Sequence, residues 1–326
     1  MRTFALAFAI AVAPSMAAVS SGHVEDWPVR AETFVVPYAA GGPNDAQARI
    51  LAARMGELLH QQFVIENVGG AGGMTGANRV AKAAPDGYTL LLAGLAVFGQ
   101  IPTLYKKPPY NPVTDFEPVA LIADSARILI TRKDLPATTL PEFVSYAKAN
   151  QGHMQYASAG AGSGSHVCAI LLDQLIGTHI AHVPYRGTGP AMQDLLAGRI
   201  DFTCEQISTA YPMIKSGQVK AIATLASSRQ PVLADVPTAQ EQGVDLDCSV
   251  WIALAFPKDT PKAIVDRMAE VANEAVETPV LRERYENLGI SIVPPERRTP
   301  AYFARFIPAE IKKWAAPIKA SGVSAD

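Results

Sequence analysis

The chain has 326 residues, 49% of them hydrophobic and 18% charged, with 28 Lys and Arg against 30 Asp and Glu. A net charge of -2 offers no basic face for nucleic acid, and so apolar a composition excludes a disordered chain. The length fits about two domains, and three cysteines, an odd number, predict no disulfide framework.

Arg2, the apolar run Phe4 to Ala13 and the small residues Ser15-Met16-Ala17 read as a cleavable export leader over residues 1–17, with Ala18 as the alternative cleavage site. The apolar run is too short to span a bilayer, which needs about 20 residues. A periplasmic destination follows if the host has two membranes. Cys168, Cys204 and Cys248 are then expected as separate small buried residues.

Thr33 to Pro37 is a β-branched strand that runs into the loop Tyr38 to Asp45. Helical spacing of Ala48, Leu51, Ala52, Met55, Leu58 and Leu59 predicts a helix from about Asp45 to His60, with Asn44 or Asp45 as N-cap. Gln62 to Glu66 is a second strand. The glycine-rich loop Gly69 to Gly76 then enters a helix capped by Thr75 and running through Ala84. Tyr88 to Ala93 is a third strand, apolar enough for the centre of a parallel sheet.

The strand, small-residue loop, helix unit recurs at Met154–Ser158 with Ala159–His166, and at His179–Tyr185 with Arg186–Pro190. Strands follow at Ile200–Cys204, Lys220–Leu225 and Val250–Phe256, then C-terminal helices near 261–277, 279–288 and 299–321. Repeated βα units predict two α/β domains. The chain is expected to leave the first between Pro118–Ile122 and Arg127–Thr131 and to return near 225–237. Domain 1 is thus residues 28–122 plus 226–326, and domain 2 is 123–225.

Four small-residue loops enter helices, two per domain, around Gly41–Asp45, Gly70–Gly76, Gly160–His166 and Arg186–Pro190. Free N–H groups and the helix dipole make such turns anion sites at the carboxyl ends of strands. Any one of them is ordinary turn chemistry; four in two pairs predict a cleft that grips a small anion from both sides. Other motifs fail. Gly70-Ala71-Gly72-Gly73-Met74-Thr75-Gly76 misses the dinucleotide fingerprint by one residue, and no GK[ST] or G-x-S-x-G is present. The six histidines lack metal-ligand spacing, so neither metal nor cofactor is expected. Ser163 or Ser165 with His166 leaves a hydrolase as the competing class.

The runs FVVPYAAGGPNDAQARILAARM, VIENVGGAGGMTGANRVAKAAPDGYTLLLA, YASAGAGSGSH, HVPYRGTGPAMQDLLAGRIDF and LADVPTAQEQG follow one another over essentially the whole mature chain. In that order they resemble the Bug-type extracytoplasmic solute receptors of tripartite tricarboxylate transporters. The resemblance implies a type II periplasmic-binding-protein fold: two α/β domains, a two-strand hinge and a ligand cleft between them. It also implies a non-enzymatic monomer that closes on a small carboxylate, or an amide- or ammonium-bearing metabolite, and presents it to membrane permease subunits. A membrane signalling partner is the alternative.

By the same resemblance, ligand contacts fall on Tyr38, Ala39, Gly41, Gly42, Asn44 and Asp45, then on Gly72, Met74 and Thr75. In the second domain they fall on Ser158, Gly160, Ser163, Ser165, His166, Tyr185 and Arg186, with Arg186 the expected charge partner. Two positions depart from the family pattern. Tyr38 stands where Phe is common, so its hydroxyl is free to contact ligand. Glu205, in Thr203-Cys204-Glu205-Gln206, sets a carboxyl near the cleft that would repel an acidic ligand or receive an ammonium.

Overall fold

A computed structural model describes residues 27–324; the expected leader lies outside the described residues. Eleven strands occur among these residues: β1 (Glu32–Val36), β2 (Phe63–Asn67), β3 (Thr89–Gly94), β4 (Phe116–Ser125), β5 (Arg127–Arg132), β6 (Gln155–Ser158), β7 (Ala181–Pro184), β8 (Phe202–Gln206), β9 (Val219–Leu225), β10 (Val250–Pro257) and β11 (Ile290–Ile292). The helices are α1 (Pro43–Leu59), α2 (Met74–Ala81), α3 (Ile101–Leu104), α4 (Leu140–Asn150), α5 (Gly164–Ile176), α6 (Thr188–Leu196), α7 (Ile207–Lys215), α8 (Lys262–Glu277), α9 (Pro279–Glu286) and α10 (Pro300–Ala320).

The strands form two sheets, ordered β11-β4-β10-β3-β1-β2 and β7-β6-β8-β5-β9. Each has three parallel strands (β2-β1-β3 and β7-β6-β8) followed by one antiparallel strand, β10 or β5. Alternation along the strands divides the first sheet's residues between its faces. Phe34, Val36, Leu90 and Leu92 pack with α1, α8 and α9, whereas Val35, Leu91 and Ala93 pack with α2 and α10. The second sheet is likewise covered on both faces. No helix among the described residues is long and apolar enough to cross a membrane.

The chain passes from the first sheet to the second at Ala126 and returns between β9 and β10. The return is later than expected. Ala239, Leu246 and Cys248 pack into a core of the second sheet, so the segment after residue 226 stays with that lobe until the start of β10. There Cys248 is bonded to Cys168 of α5, with Cα atoms 5.8 Å apart, which overturns the expectation of three unpaired cysteines. The two are 80 residues apart, so only the fold brings them together. Cys204 remains free and buried.

Two helix starts also differ. α1 begins at Pro43 with Gly42 as N-cap, because proline has no N–H to lose and its φ suits the first helical position. Asn44 and Asp45 therefore lie inside the helix. α2 begins at Met74 after Gly73, without a Thr75 cap, and ends at Ala81. Between β3 and α3, residues 96–100 form a π-helical turn that the sequence did not suggest.

Candidate functional site

The carboxyl ends of both sheets face one another across a narrow cavity of about 40 Å³. Tyr38, Pro43 and Asn44 line it from the loop after β1 and the start of α1; Gly94, Leu95 and Ala96 line it from the end of β3. The second lobe contributes Ala159, Ser163, Gly164 and Ser165 at the start of α5, Thr188 at the start of α6, and Glu205 and Gln206 at the end of β8. Arg127 begins β5, and Val250, Trp251 and Ile252 of β10 complete the wall. The first turns of α1, α5 and α6 thus converge on one space, bringing amide groups and positive dipole ends with them.

Arg127 and Glu205 are the charged residues of that wall, and both are buried. The Arg127 Nη1 donates to the Cys204 carbonyl at 3.1 Å. Its guanidinium lies over Gly164, where a Cβ would come within 2.4 Å of Nη2. Burial pulls the Arg127 pKa down, and the neighbouring Glu205 charge opposes this. Glu205 Oε1 accepts from the Gln206 amide at 2.9 Å. Burial pushes the Glu205 carboxyl up to about 7, with Arg127 opposing. Arg127 Nε, Glu205 Oε2 and Thr188 Oγ1 are buried without a well-formed protein hydrogen bond, although the Thr188 hydroxyl lies near enough to the Glu205 carboxyl to favour its charged form. Three such atoms around one cavity are what a site for a polar ligand leaves behind.

Of the residues expected to touch ligand, Tyr38, Asn44, Ser163, Ser165 and Glu205 line this cavity. The others lie outside the lining of this cavity. Ala39 donates its N–H to the Arg186 carbonyl across the lobes at 3.0 Å. Gly42 lies against Thr188 and Gly189, and Gly41 also approaches Gly189. Gly72 abuts Ala161 to Ser163 so closely that a Cβ would fall 2.5 Å from the Ala161 oxygen, and Gly160 approaches Gly72 and Tyr185. Much of the second glycine loop therefore serves lobe-to-lobe contact. Met74 packs in the first lobe, and Thr75 is exposed. Asp45 accepts from the Gly41 amide and pairs with Arg49, which holds its pKa below the usual range despite partial burial.

Arg186 does not line the cavity: its side chain is exposed, and it is its backbone carbonyl that reaches the other lobe, at Ala39. Tyr185 donates to Asp194 at 2.6 Å, on its own lobe. The Tyr38 hydroxyl is not a free donor either; it donates to the Gly72 carbonyl at 3.0 Å.

The serine and histidine residues form no nucleophile–base pair at the cavity. Ser163 accepts from the His166 amide as the N-cap of α5, while His166 Nδ1 accepts from the Gly162 amide at 3.1 Å. Ser165 accepts from the Ala159 amide at 2.9 Å. Ser158 contacts His182 Nε2 at 2.6 Å, away from the cavity wall, and burial pulls His166 down to about 4 and His182 to about 3. Among the described residues no three His, Cys, Asp or Glu side chains are grouped to hold a metal ion.

Arg127 was not singled out from sequence, although a signal existed: a lone arginine opens the apolar run Arg127-Ile128-Leu129-Ile130. Gln206, which donates to Asn44 of the opposite lobe at 3.3 Å, and Trp251 carried no such signal.

Residues 47–323 match the model of the tripartite tricarboxylate transporter family receptor. The chain is 41% identical over 301 residues to an Agrobacterium vitis protein described as "UPF0065 protein in the TAR-I ttuE-ttuC' intergenic region", covering 91% of this chain and 86% of the relative. It resembles the solved structure of MatC from Rhodopseudomonas palustris with bound malate at 40% identity and a TM-score of 0.87, covering 90% of this chain and 100% of that one. It also resembles the periplasmic binding protein BugD at 38% identity and a TM-score of 0.89, covering 91% of this chain and 99% of that one. The chain is a member of the tripartite tricarboxylate transporter receptor family, of the Bug type, with the two-lobed α/β fold of periplasmic binding proteins.

Proposed function

We propose that this protein is a monomeric periplasmic receptor that captures a small carboxylate between its lobes and presents it to the permease of a tripartite transporter. The observation that carries this is the buried Arg127 at the meeting point of three helix N-termini, with unpaired polar atoms around it. A cation and oriented amides in a closed space are suited to an anionic ligand. The 40% identity to a malate-bound relative makes a C4 dicarboxylate the first candidate. The lobes are taken to hinge where the chain crosses, at Ala126 and between β9 and β10. A ligand that touches both lobes binds the closed form better and shifts the population toward it. The closed pair of lobes is then what the permease reads. Ser163 and His166 are committed to backbone amides and not to each other's side chains, which supports binding without turnover.

The test is calorimetry of malate and succinate against wild type and Arg127→Met, which removes the charge at similar volume. Removing one partner from a buried charge-assisted contact costs about 2–5 kcal/mol, so affinity is expected to fall between about 30-fold and more than 1,000-fold. A folded R127M variant that binds within threefold of wild type would overturn the assignment of Arg127. No binding of either acid to wild type would overturn the ligand class.

A further inference from the structure

An anionic ligand in this cavity meets one cation and one carboxyl, both fully enclosed. An ionised Glu205 and the ionised carboxylates of a ligand beside a single buried arginine repel strongly in so low a dielectric, which favours the neutral form of Glu205. Arg127 of β5 pairs with Gln206 of β8, and Ile128 with Glu205, so the two charged residues are not directly opposed in register; they share the cavity because both stand where their strands end at it. Glu205 Oε1 is occupied by the Gln206 amide, whereas Oε2 is buried and makes no well-formed protein hydrogen bond, with the Thr188 hydroxyl as the neighbour that interacts with the carboxyl.

The groups around Glu205 leave few alternatives for neutralising a second negative charge. From β5 comes Arg127; from β8 itself comes the Cys204 thiol, pushed up to about 12 by burial and so un-ionised. Thr188 from α6 and Asn44 from α1 are uncharged, and Tyr38 after β1 is held un-ionised by burial.

We propose that this receptor takes up its carboxylate together with one proton, which resides on Glu205 Oε2 and is donated as a hydrogen bond to the bound acid. The proposal rests on the receptor reading above. The proton comes from solvent, and no bond of the ligand changes. Before any ligand enters, burial already pushes Glu205 up to about 7; a second negative charge beside it pushes the carboxyl higher, so uptake spans the neutral range. A neutral Glu205 favours an oxygen acceptor at that end of the cavity over an ammonium group.

Calorimetry of malate at pH 6, 7 and 8.5, with the neutral point repeated in buffers of different ionisation enthalpy, measures both affinity and protons taken up. Above pH 6 malate is doubly ionised, so its own titration does not interfere. The expected result is uptake of about half a proton per malate at pH 7, approaching one above it, and an affinity about 15-fold weaker at pH 8.5 than at pH 7. Glu205→Gln is expected to flatten the profile and to bind more tightly than wild type at pH 8.5. Malate binding that is constant across pH with no buffer dependence overturns the proposal and leaves the receptor reading intact. So does preference for aspartate over malate that is lost in E205Q, since Glu205 would then be an anion receiving an ammonium. No malate binding at any pH, including the acid end, overturns both. The buffer comparison uses wild type alone, so its outcome does not depend on the variant folding.

Discussion

Gly189→Ala tests lobe closure with a single methyl group. Gly189 is the second residue of α6, and a Cβ built on it falls 2.3 Å from the Ala40 carbonyl oxygen of the opposite lobe. Since real Cβ atoms essentially never approach within 3.0 Å, the two loops must part by about 0.7 Å or more. That separation acts on the Ala39–Arg186 hydrogen bond and on the Gln206–Asn44 contact, which join the lobes at 3.0 and 3.3 Å. Overpacking of this kind costs about 1–3 kcal/mol and here falls on the closed form alone, which weakens malate binding about 5- to 150-fold. Within its own lobe the substitution is favourable, because alanine in a helix is better than glycine by up to about 1 kcal/mol. The expected signature is thus of opposite signs: an unchanged or higher melting temperature without ligand, and lower affinity. Calorimetry supplies the affinity, and small-angle scattering with and without malate should show a variant that closes less completely. A G189A protein with wild-type affinity and wild-type compaction would refute the reasoning.

Two further predictions concern stability. The Cys168–Cys248 bridge closes an 80-residue separation, and loop entropy assigns such a closure about 4.5 kcal/mol. The double variant Cys168→Ser, Cys248→Ser should lose that order of stability in urea, and unreduced unfolded wild type should titrate one thiol, Cys204; three thiols, or a loss below about 1 kcal/mol, would count against the bridge. Glu32 is buried with both carboxylate oxygens unpartnered, and burial pushes it from 4.5 to about 8. Native protein therefore holds a proton that the unfolded chain releases above 4.5, so stability falls as pH rises through about 8. His166 and His182, depressed to about 4 and 3 from 6.5, act oppositely: stability is lost as pH falls below 6.5. Urea unfolding across pH should peak between these limits, with Glu32→Gln flattening the alkaline side by about 4 kcal/mol at pH 8; parallel wild-type and E32Q curves would exclude Glu32 as the cause.

Local patterning made most of the fold legible. Apolar spacing in Leu51, Ala52, Met55 and Leu59 put α1 where it is found, and the β-branched run before Pro37 became β1, because period and propensity act through neighbours in the chain. The small-residue loops were equally visible, and three of the four open helices at the cavity. Their division of labour was not. Gly72 and Gly189 are small because another lobe lies against them, whereas Ser163 and Asn44 face the cavity, and a glycine reads the same in sequence for either reason. The buried Arg127, for which the sequence suggested no role, stands where the exposed Arg186 was expected, since burial depends on how a residue's element packs in the fold. Sequence by itself thus determined the alternating α/β order, the glycine loops and the family. Tertiary structure alone decided that Arg127 and Glu205 line one cavity, that Cys168 meets Cys248, and where the chain returns to its first lobe. Each of these depends on contacts between residues far apart in the chain, and no local pattern encodes them.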